Sequence, residues 1–203
     1  TAAALTAEGP VVLYRDRSAG GIRDIAITRL VDGAWTDPRP VHDDGWRIEG
    51  CPVNGPAVSA DGRRLAVAWF TAARDTARVL IAFSADAGAG FADPVRVDDG
   101  APDGRVDVEL LPDGSALVSW LERNGENAEI RVRRVGPDGT IGPAVTVAAT
   151  SASRASGFPR MARSGNVIVF AWTEPGAPAR VRSATARITA APGAVITFQT
   201  NQR

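Results

Sequence analysis

Short apolar runs that alternate with polar residues, bounded by Gly, Pro, Asp and Asn, recur along the whole chain, and helical periodicity is almost absent. Three of these stretches align closely: AVSADGRRLAVAWF (57–70), VELLPDGSALVSWL (108–121) and RMARSGNVIVFAWT (160–173). Each predicts a strand, a tight turn with glycine at Gly62, Gly114 or Gly165, and a second strand ending in Trp69, Trp120 or Trp172. The glycine supplies the positive φ of a two-residue hairpin turn, and the aromatic is expected to pack between adjacent units. The tryptophans lie 51 and then 52 residues apart. A fourth copy, AALTAEGPVVLYR (3–15), has Gly9 at the turn and Tyr14 at the tryptophan position.

A third strand is predicted after each hairpin, at DIAITRL, RVLIAFS, EIRVRRV and RVRSATARI. A fourth follows in the first three units, at RPVHDD, DPVRVDD and PAVTVAA. Four strands repeating at about 50 residues predict an all-β fold, a β-propeller of four-stranded antiparallel blades. A β-sandwich of irregular strands is the alternative, but it leaves the aligned glycines and tryptophans unexplained. The blades are expected at about 1–45, 46–100, 101–150 and 151–190 of a single domain, with APGAVITFQTNQR a closing strand or a tail.

Composition narrows the function classes. The chain has 203 residues, 44% of them hydrophobic, which is enough for a sizeable core. Its 23 basic residues, all arginine, balance 23 acidic ones. A net charge of zero argues against nucleic acid as a partner, and no apolar run reaches the roughly 20 residues of a membrane span. TAAALTAEGP is not a signal peptide; the location expected for the protein is secreted or periplasmic. Cys51 is the only cysteine and His42 the only histidine, so no disulfide, metal or other cofactor is expected within the chain. Cys51 stands in IEGCPVNGP, a loop stiffened by Pro52 and Pro56 around an Asn54-Gly55 turn. A small buried apolar role is the base expectation for such a cysteine.

One stretch of the second blade is more specific. SADAGAGF (84–91) has the form S-x-D-x-G-x-x-F, with Ser84, Asp86, Gly88 and Phe91 as its fixed members. It resembles the Asp-box, or BNR repeat, of the sialidase superfamily, a structural hairpin turn between third and fourth strands. VDGAW (31–35) and GPDGTIG (136–142) occupy the same place in degenerate form. With YRDRS, IRDI, GCPVNGP, GRVDV and SGFPR, the chain resembles an uncharacterised bacterial group of sialidase-like propellers over roughly residues 1 to 175. Sialidase-like propellers have six blades, and members of that group are about twice this length. The resemblance therefore implies the C-terminal four blades of a larger propeller, with blades missing upstream of Thr1 or a second copy covering open edges as a homodimer. Closure as a four-bladed propeller is the other reading.

Propeller geometry places the loops joining second to third strands, and those joining successive blades, on one face around the channel. That face is expected to collect Arg15, Asp16, Arg17, Arg23 and Asp24 from the first blade, and Trp46, Glu49, Cys51 and Asn54 before the second. Arg105 and Asp107 precede the third, and Arg154 and Arg160 the fourth. Arginine forks suit carboxylates and phosphates. Sialidases use three arginines for the sugar carboxylate, a Tyr activated by Glu, and an Asp acid/base. By resemblance, Arg105 and Arg154 or Arg160 take two of the arginine roles, Asp16 or Asp107 the acid, with Glu49 nearby. The F/Y-R-I-P signature is absent, and the only tyrosine, Tyr14, falls at a blade-packing position.

The catalytic candidates are thus Asp16, Glu49 and Asp107. The ligand-binding candidates are Arg15, Arg17, Arg23, Asp24, Asn54, Arg105, Arg154 and Arg160, with Trp46 as a stacking platform. Two functions follow. One is a sialidase-like propeller, glycan-binding or glycoside-hydrolase-related, that reads a carbohydrate or other acidic small ligand through arginines at the channel mouth. The other is a non-catalytic scaffold for protein binding or assembly, in which the same arginines and aspartates form an ion-pair lattice between blades.

Overall fold

A computed structural model describes residues 1–188 and 197–199. Its strands form four antiparallel sheets in chain order, except that, at the outer edge of the first sheet, two short strands share the third strand. The first contains β1 (Ala2–Thr6), β2 (Gly9–Arg15), β3 (Ile25–Val31), β4 (Ala34–Trp35) and β5 (Arg39–Pro40). The second contains β6 (Ala57–Asp61), β7 (Arg64–Thr71), β8 (Arg78–Ser84) and β9 (Val95–Arg96). The third runs through β10 (Pro102–Leu110), β11 (Ala116–Asn124), β12 (Asn127–Val135) and β13 (Val145–Ser151). The fourth has β14 (Arg160–Ser164), β15 (Val167–Glu174), β16 (Arg180–Arg187) and β17 (Thr197–Gln199). The innermost strands β1, β6, β10 and β14 neighbour one another in that order. This is the all-β propeller arrangement of four-stranded blades. Among the described residues no helix is long and apolar enough to cross a membrane.

Strand alternation explains how the blades stick together. Successive side chains leave opposite faces of a strand, and both faces of an inner blade are covered. In β7, Leu65, Val67 and Trp69 pack with Val11, Leu13, Ile25 and Ile27 of the first blade. The intervening Ala66, Ala68 and Phe70 pack with Val106, Val108, Val118 and Trp120 of the third. In β11, Leu117 and Leu121 turn the other way and meet Met161, Ile168 and Phe170 of the fourth. Each blade tryptophan thus faces the preceding blade. Trp69 and Trp120 are fully buried, and Trp172 is half-buried against the same kind of seam.

Turns and edges follow local chemistry, with one departure from expectation. Asp61 pairs with Arg64 and Ser164 with Val167, leaving two-residue turns with Gly62 and Gly165 at φ +61° and +60°. In the third blade Leu110 pairs with Ala116 instead, so its turn spans 111–115 and is closed by Leu111 N–H to Ser115 O at 2.7 Å. Pro112 cannot donate to a ladder, and Asp113 caps Ser115 N–H at 3.1 Å. At the C-terminal end β17 is the closing strand of the two alternatives, pairing with β16 as the fourth strand of the fourth blade. The expectation for 189–196 and 200–203 lies outside the described residues.

The turn at 84–91 shows the capping chemistry its sequence predicts. Ser84 Oγ accepts from Gly88 N–H at 2.9 Å, and Asp86 Oδ1 accepts from Gly90 N–H at 2.8 Å. Burial pushes the Asp86 carboxyl up, but the Ser84 hydroxyl, donating to Asp86 Oδ1 at 2.7 Å, and the Gly90 N–H outweigh it and hold the group below its ordinary value. At Gly88, φ +80°, a side chain would be strained by the backbone and would have to displace Ile27 Cδ1, 2.8 Å from its Cβ.

Candidate functional site

The loop 16–24, between β2 and β3, lies against the connection 41–56 that leads to the second blade. The two segments pair antiparallel, with an Ile22–Arg47 bridge and Arg23 N–H donating to Trp46 O at 2.7 Å. Asp24 completes the junction: its two oxygens accept Gly45 N–H at 2.8 Å and Trp46 N–H at 3.0 Å. Burial pushes the Asp24 carboxyl up, Asp44 and Asp43 add to that, and the two N–H bonds oppose it.

Several expected ligand-binding side chains turn inward and hold the blades to one another. Arg15 donates through Nε to Asn54 O at 2.9 Å, through Nη1 to Arg23 O at 2.5 Å, and through Nη2 to Phe70 O at 2.6 Å. Desolvation lowers its pKa to about 10. Trp46, expected as an exposed platform, is only 5% exposed. Its ring meets Phe70 edge-on at 5.6 Å and lies under the Arg15 guanidinium at 4.6 Å. It is a core residue because its loop is tied down by Asp24 and Arg23 on either side.

Arg105 is buried, at φ +53°. Its guanidinium donates to Ser156 Oγ at 2.6 Å, Gly157 O at 2.9 Å, Ser153 O at 3.0 Å and Ala152 O at 3.2 Å. That set satisfies the loop entering the fourth blade and leaves no free fork for a ligand. Asn54 serves the junction of the second and third blades, accepting Arg105 N–H at 2.9 Å and donating to Asp103 O at 3.2 Å. Asp107 is buried as well, accepting Val108 N–H at 3.1 Å and Met161 N–H at 2.7 Å, with Arg160 Nε 3.2 Å away. Burial raises its pKa, and that of Glu109 on the same strand. The carboxylates of Asp107 and Glu109 thus cap N–H groups of Met161 and Arg163 on β14, whose outward ladder is already used by β15.

The expected catalytic trio is not brought together. Asp16 lines one cleft, Glu49 lines another, and Asp107 sits between the third and fourth blades. The first cleft, ≈ 340 Å³, is lined by Asp16, Asp24, Asp43 and Arg39 together with apolar Ile25, Pro38 and Pro40. The second, ≈ 310 Å³, is lined by Arg17, Gly20, Gly21, Arg47, Ile48 and Glu49. Arg23 reaches Gly50 O at 3.3 Å, and its Nε is buried without a hydrogen-bond partner. Arg154 is exposed on the short 3-10 turn Arg154–Ser156, and the Arg160 side chain is 70% exposed. Cys51 is exposed, not buried, since its loop runs over the surface.

Asp43, Arg39 and Arg47 escaped the sequence reading. A partial signal existed, since VHDDG (41–45) repeats as VDDG (97–100). In both copies the valine N–H closes onto the third strand, to Ile25 O or Val79 O at 2.8 Å. In the first copy Asp44 accepts Trp69 Nε1–H at 2.6 Å and pairs with His42 Nδ1 at 2.8 Å, so His42 serves a structural carboxylate.

No family model and no curated protein matches the sequence. By structure the chain is similar to a thermostable family-43 glycoside hydrolase, with TM-score 0.57 and 14% identity over 97% of this chain and 70% of that one. It is also similar to a β-1,3-galactosidase of family 43, solved with galactodeoxynojirimycin, with TM-score 0.55 and 12% identity over 91% and 71%. Trypanosoma rangeli sialidase, in complex with sialic acid, gives TM-score 0.55 and 12% identity over 96% of this chain, which spans 36% of the sialidase. The fold is therefore that of propeller glycosidases. The likeness extends to glycoside hydrolases of other families and does not single out the sialidase group.

Proposed function

We propose that the chain is a glycoside-hydrolase-related propeller that binds carbohydrate in the cleft of Asp16, Asp24, Asp43 and Arg39. The observation that carries this reading is the cleft's composition. At ≈ 340 Å³ it falls within the size range of small-ligand sites, and its lining combines charged and apolar side chains. Carboxylates accept from neighbouring sugar hydroxyls, while Ile25, Pro38 and Pro40 can lie against the C–H face of a ring. The proposal is one of binding. Asp24 and Asp107 each commit both oxygens to backbone N–H groups, which leaves them poorly placed as substrate acids.

An acidic-sugar reading in the sialidase manner would have to do without Arg15 and Arg105, whose guanidinium groups are engaged by backbone and Ser156. Titration calorimetry with galactotriose and with N-acetylneuraminic acid tests the proposal. Galactotriose is expected to bind, and Asp43→Asn to weaken it at least fivefold without changing the melting temperature. No heat with either sugar would leave the scaffold reading, which the Arg15, Asn54 and Arg105 bonds between blades favour.

A further inference from the structure

We infer that the second cleft, between Arg17 and Arg47, takes an anionic group of carboxylate or sulfate size, carried by the same ligand that occupies the first. The placement on one ligand rests on the carbohydrate reading above. The anion site itself stands on its own geometry.

The two clefts share a pair of segments, the loop 16–24 and the connection 41–56. Asp16, Ser18, Ile22 and Asp24 of the loop contribute to the first, and Arg17, Gly20 and Gly21 to the second. The connection contributes Asp43 and Gly45 to the first and Arg47, Ile48 and Glu49 to the second. Neighbouring residues of one loop therefore serve clefts of opposite charge, and the Ile22–Arg47 bridge joins a lining residue of the first to one of the second.

Arg47 is pre-oriented. Its Nη1 donates to Gly20 O at 3.0 Å, which leaves the other edge of the guanidinium available. Its Nη2 lies 4.0 Å from where a Cβ on Gly20 would stand, and a Cβ on Gly21 would meet nothing within 4 Å. The glycine pair thus keeps the cleft bare of side chains beside the guanidinium. Gly21 also needs its φ of +76° to turn the loop, closed by Gly21 N–H to Ser18 O at 2.9 Å.

Charge favours an anion. Arg29, Arg63, Arg96, Arg123, Arg131, Arg133 and Arg134 each sit on a carboxylate. Among the described residues, Arg17, Arg47 and Glu49 make no ion pair, so the cleft holds two unpaired cations against one unpaired anion. A planar fork held by one bond and a second, unpaired arginine in the same cleft suit a two-oxygen anion.

The test is a titration of the ¹⁵N-labelled chain with sodium sulfate at constant ionic strength, followed through arginine Nε–H and backbone amide signals. Saturable shifts confined to Arg17, Arg47, Gly20 and Gly21, and lost in Arg17→Ala, are expected. Shifts that do not saturate, or that spread over the exposed Arg74, Arg154 and Arg187, would show general screening and overturn the inference. A second arm compares trigalacturonate with galactotriose, which differ in the carboxylates. Trigalacturonate is expected to bind about tenfold more tightly, with Arg17→Ala or Arg47→Gln bringing it down to the neutral sugar. A saturable sulfate site without that preference would make the cleft a site for free small anions, overturning its place on a sugar ligand. Failure of galactotriose to bind at all would overturn the carbohydrate reading alone, leaving the sulfate arm to decide the anion site.

Discussion

The guanidinium of Arg105, on the inner strand of the third blade, donates to Ser156 Oγ at 2.6 Å and thereby fastens the loop that begins the fourth. Together with its bonds to Ala152, Ser153 and Gly157 carbonyls, this makes one side chain the main polar tie across that seam. Arg105→Ala is expected to destabilise the chain by about 3 kcal/mol, because the buried Ser156 hydroxyl and three partly buried carbonyls lose a charged donor. Arg105→Lys should recover little, since an ammonium cannot reproduce the fork. Urea unfolding of both variants checks this. A ligand role would instead leave stability intact and reduce sugar binding.

Asn54 and Gly104 are packed as a pair. A Cβ on Gly104 would stand 2.6 Å from Asn54 Nδ2, and the residue sits at φ +81°. Gly104→Ala should cost about 2–3 kcal/mol, part from the backbone and part from the collision. Adding Asn54→Ala should return only the collision part, after allowing for the cost of Asn54→Ala alone. A double-mutant cycle by thermal unfolding reads the two parts separately.

Trp46 bridges Arg15 and Phe70 inside the seam of the first three blades. Truncation to Ala should cost about 3–5 kcal/mol, and Trp46→Phe markedly less. Fluorescence supplies a second readout. Acrylamide should quench Trp46 poorly compared with Trp35, which is 53% exposed.

Asp107 and Glu109 are raised by burial, so the folded state holds their protons more tightly than the unfolded chain does. Their neutral forms stabilise below the ordinary carboxyl range, about pH 4. That contribution is lost as pH rises through the higher folded values. Asp86 and Asp113 run the other way: their lowered values give stability that is present at neutral pH and lost on acidification. Asp107→Asn and Glu109→Gln should therefore become less unfavourable relative to wild type as pH rises from 4 to 7. Denaturant unfolding across that range tests the sign; a difference growing in the opposite direction would refute it.

The linear pattern of residues was sufficient for the blades. Alternating apolar positions, the glycines at Gly62 and Gly165 and the tryptophans at 69, 120 and 172 report local geometry that a strand or turn imposes within a few residues. Where local chemistry was subtler, as in the longer turn around Pro112, the pattern still marked a turn but not its length. The Ser84–Asp86 capping was legible for the same reason, since all its bonds are made within the turn.

The site was not legible in this way. Sequence order placed Arg15, Trp46, Asn54, Arg105 and Asp107 on one face, but whether each points to solvent depended on partners far along the chain. Arg15 ends on carbonyls 39 and 55 residues away, and Arg105 on groups 51 and 52 residues away. A guanidinium near a channel mouth goes where buried carbonyls most need a donor, and only the docking of one blade on the next creates those carbonyls. Asp43, Arg39 and Arg47 gained their place by the same logic in reverse. The pairing of 22–24 with 45–47 opened the clefts, and that pairing belongs to the tertiary structure.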